Sequence, residues 1–133
     1  MNKSVLDASA FLAYLRDEAG AEIVENALIY GCYISTINWG EVLSKTVDLG
    51  ESPENIIKQL KDEGLLENSL AIIDFTEEDA INIAKFRPLT KSAGLSLGDR
   101  ACLALGKRLN LPVLTADKVW NTLSLGIKIN LIR

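Results

Sequence analysis

Four acids stand where the chain changes direction. Asp7 ends "VLD" ahead of "ASAF", Asp117 ends "LPVLTAD" ahead of "KVWN", Asp99 heads "LSLGDRACLALG", and Glu41 lies in the first turns of "INWGEVLSKTV". Carboxylates gathered in one place repel one another and are costly to keep ionised unless a cation neutralises them. Their joint chemistry would be that of a hard metal, one or two Mg2+ or Mn2+ ions held through oxygen with several waters retained. Each acid also has a plainer use. Asp7 and Asp117 suit the N-cap of the segments that follow them, and Asp99, three residues after Ser96, completes a capping box with Asp in place of Glu. Glu41 can pair with Lys45 on a solvated face, opposite a stripe of Trp39, Leu43 and Val47, and Gly40 beside it would admit a close neighbour.

Composition narrows the chemistry further. The chain has no histidine, which removes Ser-His-Asp and Cys-His catalysis, most zinc sites and histidine acid–base cleavage of RNA. Hydrolysis is left to carboxylates and a metal that prefers oxygen. Cys32 and Cys102 sit among apolar or small neighbours and read as buried thiols, since their spacing fits no zinc motif. The net charge of -4 supplies no general attraction for nucleic acid, so any such binding needs a local basic patch or a bound metal.

The elements that must position the acids follow from the apolar pattern. At 133 residues the chain is expected to be one domain over 1–133 with a core of its own. Short apolar strands are predicted at Ser4 to Asp7, up to Ser35 or Thr36, in "LAIIDFT", in "LPVLTAD" and in "IKINLI". Helices fall between them. Two lie either side of Gly20, one runs to about Gly50 behind a Ser35 or Thr36 cap, and one has Ser52 as cap, Pro53 in its first turn and Gly64 at its end. "EEDAINIAKFR" is a helix capped by Thr76, "PLTKSAG" a loop flanked by Pro88 and Gly94, and "KVWNTLSLG" a short helical connection. Strands alternating with helices predict an α/β fold, a mostly parallel central sheet flanked by helices, with its site beyond the carboxyl ends of the strands. No apolar run approaches the ~20 residues of a membrane span, and "MNKSVLDASAF" is a poor signal peptide. A cytoplasmic protein without membrane contact is expected.

Read in order, "VLDASA", "NWGEV", "LSLGDRACLALG" and "VLTADKVW" resemble the PIN-domain ribonucleases, in particular the small VapC-like toxins of toxin–antitoxin pairs. The closing "TADKVWNTLSLGIKINLIR" is similar to the end of such toxins, so the resemblance runs from Asp7 to Arg133. It implies a single PIN-like α/β/α domain and a Mg2+- or Mn2+-dependent endoribonuclease leaving a 5′-phosphate and a 3′-hydroxyl. Asp7, Glu41, Asp99 and Asp117 match the family's metal-binding acids, and Ser9 and Thr115 its small hydroxyl residues, which can orient a ligand or a water. Many members carry a further acid after the last one. Val119, Trp120 and Asn121 occupy that stretch here, which leaves one and two metal ions both open. A cognate antitoxin and a toxin homodimer are also implied, with the helical faces of "FLAYL" and "IIKQLKDEGLL" available for either contact or for the core.

Lys85, Arg87 and Lys91, before the Asp99 helix, and Arg100 in its first turn are the candidates for phosphate contact. A solvated loop accounts for the first three equally well, and Arg100 can instead pair with an acid. Tyr14, Tyr30 and Tyr33 offer stacking surfaces in surroundings that also suit a core. A phosphoryl-accepting receiver domain is the alternative from another class, with Asp74 as acceptor, Thr115 as hydroxyl and Asp7 as metal ligand. It wants an acid pair after the first strand and leaves Glu41 and Asp99 without a role. A phosphatase with an Asp nucleophile wants a second Asp where Ala8 and Ser9 stand. The plainest alternative is a catalytically silent PIN-like module that binds a partner.

Overall fold

The computed structural model describes residues 3–133, so the first two residues of the unit expected over 1–133 lie outside the described residues. Five strands form one all-parallel sheet: β1 Ser4–Leu6, β2 Cys32–Ser35, β3 Leu70–Ile73, β4 Val113–Thr115 and β5 Ile129–Leu131, in the order β3-β2-β1-β4-β5. Six helices connect them: α1 Ala8–Leu15, α2 Ala21–Tyr30, α3 Thr36–Asp48, α4 Pro53–Asp62, α5 Glu77–Thr90 and α6 Leu97–Leu109, followed by a 3-10 helix at Lys118–Thr122. Successive strand residues point to opposite faces, and the core divides accordingly. Leu6, Ile34 and Leu114 join Phe11, Val24, Trp39 and Val42 on one face, while Val5 and Val113 join Phe86, Leu103, Leu105 and Trp120 on the other. The layers are α/β/α.

Local chemistry sets the element ends. Ser52 accepts from Asn55 N and Pro53 opens α4, where its missing N–H costs nothing. Gly20 breaks α1 from α2 at φ +95°, and a Cβ there would lie 2.6 Å from the Ile132 carbonyl. Both cysteines are free and buried; burial pushes the Cys32 thiol up to about 12. No helix among the described residues is long and apolar enough to cross a membrane.

Three sequence expectations need correction. The loop expected over "PLTKSAG" begins three residues later, because α5 continues through Pro88 to Thr90. Pro88 removes one helical N–H and faces solvent, as does Ala84, so the freed carbonyl of Ala84 can be hydrated. Thr90 meanwhile donates back to Phe86 O at 2.8 Å and holds the last turn. The buried arc of α3 is Asn38, Trp39, Val42 and Thr46, with Val47 exposed, because α3 is wedged between α1 and α6. Two of those four residues are polar, which the apolar stripe Trp39, Leu43 and Val47 did not foretell. Glu41, finally, takes a hydrogen bond from Asn38 on its own helix, 2.8 Å from Nδ2 to Oε1, and no Lys45 ion pair is present among the described residues.

Candidate active site

A parallel sheet delivers all its strand ends to one edge, and there the acids collect. Asp7 leaves β1 at the centre of the sheet, Asp117 follows the neighbouring β4, and α3 with Glu41 continues directly from β2. Asp99 arrives on the first turn of α6, which packs against α3.

Asp7 is the anchor. It is 4% exposed, and its carboxylate accepts from Thr115 Oγ1 at 2.6 Å, Ser9 Oγ at 2.8 and 2.9 Å, and Ala10 N at 2.8 Å. Ser9 Oγ in turn accepts from Ala116 N at 3.0 Å and Thr115 Oγ1 from Asp117 N at 3.1 Å. The two hydroxyls therefore link the end of β1 to the end of β4. Burial pushes the Asp7 carboxyl up to about 6 despite these lowering bonds, and the charge of Asp99 adds to the rise. Cys102 on α6 is fully buried and feels the charges of the group. Its thiol is held well above its ordinary value by burial first, then by the charges of Asp7, Asp99 and Glu41. Three of the four acids thus share one electrostatic neighbourhood, while Asp117 reaches Thr115 through its backbone N–H and not its carboxylate.

The plainer uses of the aspartates are realised as well. Asp7 caps α1, Asp99 Oδ2 accepts from Ser96 N at 2.9 Å in a complete capping box, and Asp117 Oδ1 accepts from Val119 N at 3.1 Å at the head of the 3-10 helix. With those carboxylates tied to their own helix starts, no three acidic groups among the described residues are gathered closely enough to enclose an ion as they stand. The donor set nonetheless suits a hard cation, being wholly of oxygen, and one acid in it is buried. A cradle is also present at Gly98, where a Cβ would fall 2.5 Å from Glu41 Oε2. The glycine expected to matter beside Glu41 was Gly40, yet a Cβ there would meet nothing within 4 Å.

Asn38 and Gly98 escaped the sequence reading. Asn38 is buried and donates from Nδ2 both to Glu41 Oε1 and to the Gly98 carbonyl, at 2.9 Å. The only sequence signal was its spacing, one helical turn before Glu41.

The basic candidates separate into two groups. Lys85, Arg87 and Lys91 are exposed, on the last turns and C-cap of α5 and not on a loop. Asp79 at the start of α5 pairs with Arg108 near the end of α6 at 2.9 Å, so these helices run antiparallel and the end of α5 leads toward the head of α6. Arg100 is half-buried, and its Nη1 donates to the Ile83 carbonyl of α5 at 2.8 Å. Its guanidinium ties two helices together and pairs with no acid among the described residues. Tyr14 stacks on Phe11 with centroids 5.8 Å apart and Tyr33 lies under Lys3, whereas Tyr30 is exposed at the end of α2, which leads into the start of β2, away from the acid edge. Asp74, the acceptor of the receiver reading, follows edge strand β3, with β2 between it and the strand of Asp7.

The topology finds relatives. A chain of the DNA-bound VapBC structure from Salmonella typhimurium matches with a TM-score of 0.72 at 18% identity, covering 100% of both chains. A toxin–antitoxin complex from Klebsiella pneumoniae matches at 0.71 and 19%, over 90% of this chain and 92% of the other. VapBC2 from Rickettsia felis, bound to a DNA fragment from its promoter, matches at 0.70 and 18%, over 98% of each. At such identities the likeness is one of fold, and no curated protein sequence matches the chain. The PIN-domain model matches residues 4–124, a span from the first strand to just past the 3-10 helix that takes in all four acids, and the chain belongs to the PIN-domain family.

Proposed function

We propose that the chain, as one PIN-like unit, is a metal-dependent endoribonuclease and the toxin of a toxin–antitoxin pair. The observation that carries this reading is Asp7: a buried acid, disfavoured as an anion, at the strand-end edge where Asp99 and Glu41 add like charge. Folding such charges together is costly without a counter-ion. Asp7, Glu41, Asp99 and Asp117 would hold Mg2+ or Mn2+, with Asp99 and Asp117 turning from their caps to do so. When bound, the ion lowers the pKa of a water and offsets charge on a phosphodiester. Ser9 and Thr115 keep Asp7 in one orientation. Lys85, Arg87 and Lys91 contact backbone phosphates, while Arg100 holds the head of α6 on α5. With no histidine in the chain, the leaving oxygen takes its proton from water.

The fold neighbours are VapBC and other toxin–antitoxin complexes, and by that likeness the partner is a cognate antitoxin, the state a homodimer and the compartment the cytoplasm. One observation favours a second reading. Because Asp7, Asp99 and Asp117 are all satisfied as caps, a silent PIN-like binding module accounts for their presence too. Incubation of the antitoxin-free protein with a mixed small-RNA pool, with Mg2+ or Mn2+ and with chelator, separates the two. Metal-dependent cleavage lost in an equally folded Asp99→Asn variant supports the nuclease. Equal activity of both proteins returns Asp99 to its cap, and cleavage by neither supports the silent module.

A further inference from the structure

Glu41 is exposed and, unlike the three aspartates, caps no helix start. A glutamate on a helix surface ordinarily spreads over many rotamers, and fixing it costs entropy. Here two residues from separate helices meet its carboxylate. Both hydrogens of the Asn38 amide are used, one on Glu41 Oε1 at 2.8 Å and one on the Gly98 carbonyl at 2.9 Å. Chemistry fixes the amide's orientation, because a flipped Asn38 would turn its oxygen on two acceptors. The buried Oδ1 has no partner among the described residues, a cost tolerated to keep both donations.

The other side of the seat is a missing side chain. Gly98 does not have positive φ, so its backbone does not call for glycine. Space does. A Cβ at Gly98 would lie 2.5 Å from Glu41 Oε2, 2.6 Å from Oε1 and 2.7 Å from Cδ. The carboxylate rests on a bare Cα one residue before Asp99. We infer that Asn38 and Gly98 are positioning residues, which together seat the Glu41 carboxylate on the head of α6 and set it as a metal ligand beside Asp99. The inference rests on the proposed metal-dependent function and goes beyond it in assigning these two roles.

Gly98→Ala tests it without threatening the fold. The atoms in the way are the far end of a flexible side chain, so Glu41 can swing off while the helix gains a better helix former. The melting temperature in chelator should equal or exceed that of the wild type. Mn2+ affinity, read by calorimetry, should fall about tenfold or more, and Asn38→Ala should lower it similarly. Added to Glu41→Gln, neither change should cost more than about a further twofold, since both act through Glu41. A merely structural role would lower stability and weaken binding equally in the Glu41→Gln background. Wild-type affinity in Gly98→Ala, with Glu41→Gln binding weakly, overturns the seat and leaves the proposed function standing. No Mn2+ binding by the wild type, or equal binding by Glu41→Gln, removes Glu41 as a ligand, and the inference falls with it. If Asn38→Ala fails to fold, Gly98→Ala decides alone.

Discussion

The Asp7 and Glu41 corners of the candidate site are built by opposite means. Asp7 is buried at the end of a central strand, and its carboxylate is held by a backbone N–H and two hydroxyls, Ser9 from its own helix and Thr115 from the next strand. Glu41 is exposed, in the second turn of a helix, and leans on a neighbouring helix through an amide and a gap. Disturbing the first should unsettle the protein as well as its chemistry. Disturbing the second should change the chemistry and leave the fold almost untouched. A charged group fixed by burial is coupled to folding, and one fixed by contact at the surface is not.

The contrast can be broken most decisively through activity. Asp7→Asn keeps the shape and removes the charge, and should lower metal-dependent RNA cleavage by about two to three orders of magnitude. Retained activity would reduce the Asp7 corner to a helix cap. Next in size is the pH dependence of stability. The Asp7 carboxyl rises from 3.8 to about 6 on folding, so between those values the unfolded chain loses its proton first. This group's contribution is therefore most favourable at low pH, declines as pH rises through the window, and levels off above about 6. Unfolding free energies in chelator, wild type minus Asp7→Asn, should fall by on the order of a few kcal/mol across it. A flat difference would mean that the carboxyl is not buried as described. Added Mn2+ should recover stability above the window in the wild type alone.

Thr115→Val should cost about 1–3 kcal/mol in denaturant unfolding, because it strips a donor from a buried carboxylate and an acceptor from Asp117 N. A neutral result would detach the end of β4 from the Asp7 corner. Smallest is Glu41→Gln, expected within about 0.5 kcal/mol of wild type in the same assay. A larger loss would show that the Glu41 corner supports the fold after all, and would erase the contrast between them.

The same contrast explains what could be read from the residues in order. Asp7, Asp99 and Asp117 stand at strand ends and helix starts, and "SLGD" or "LTAD" declares that locally through cap chemistry and apolar runs. The parallel order of the sheet followed from alternation of strand and helix for the same reason. Asn38 and Gly98 are 60 residues apart, and no periodicity announces that an amide on one helix will reach a carbonyl on another. Gly40 misled because proximity in sequence was the only measure at hand, while space around a glycine is set by the packing partner. Pro88 misled because proline is costly inside a helix in general, and the general rule is relaxed where the freed carbonyl faces water.

The bond between Thr115 and Asp7 spans 108 residues. The strand made first becomes the middle of the sheet, with β2 on one side and β4 on the other. During synthesis it waits unpaired on its β4 side until Thr115 has followed 108 residues later, and contacts of such sequence separation are slow to form. A nascent chain carries the Asp7 carboxylate well before the Thr115 hydroxyl that orients it. The Asp7 corner is thus timed by topology, its carboxylate made well before the hydroxyl that completes it.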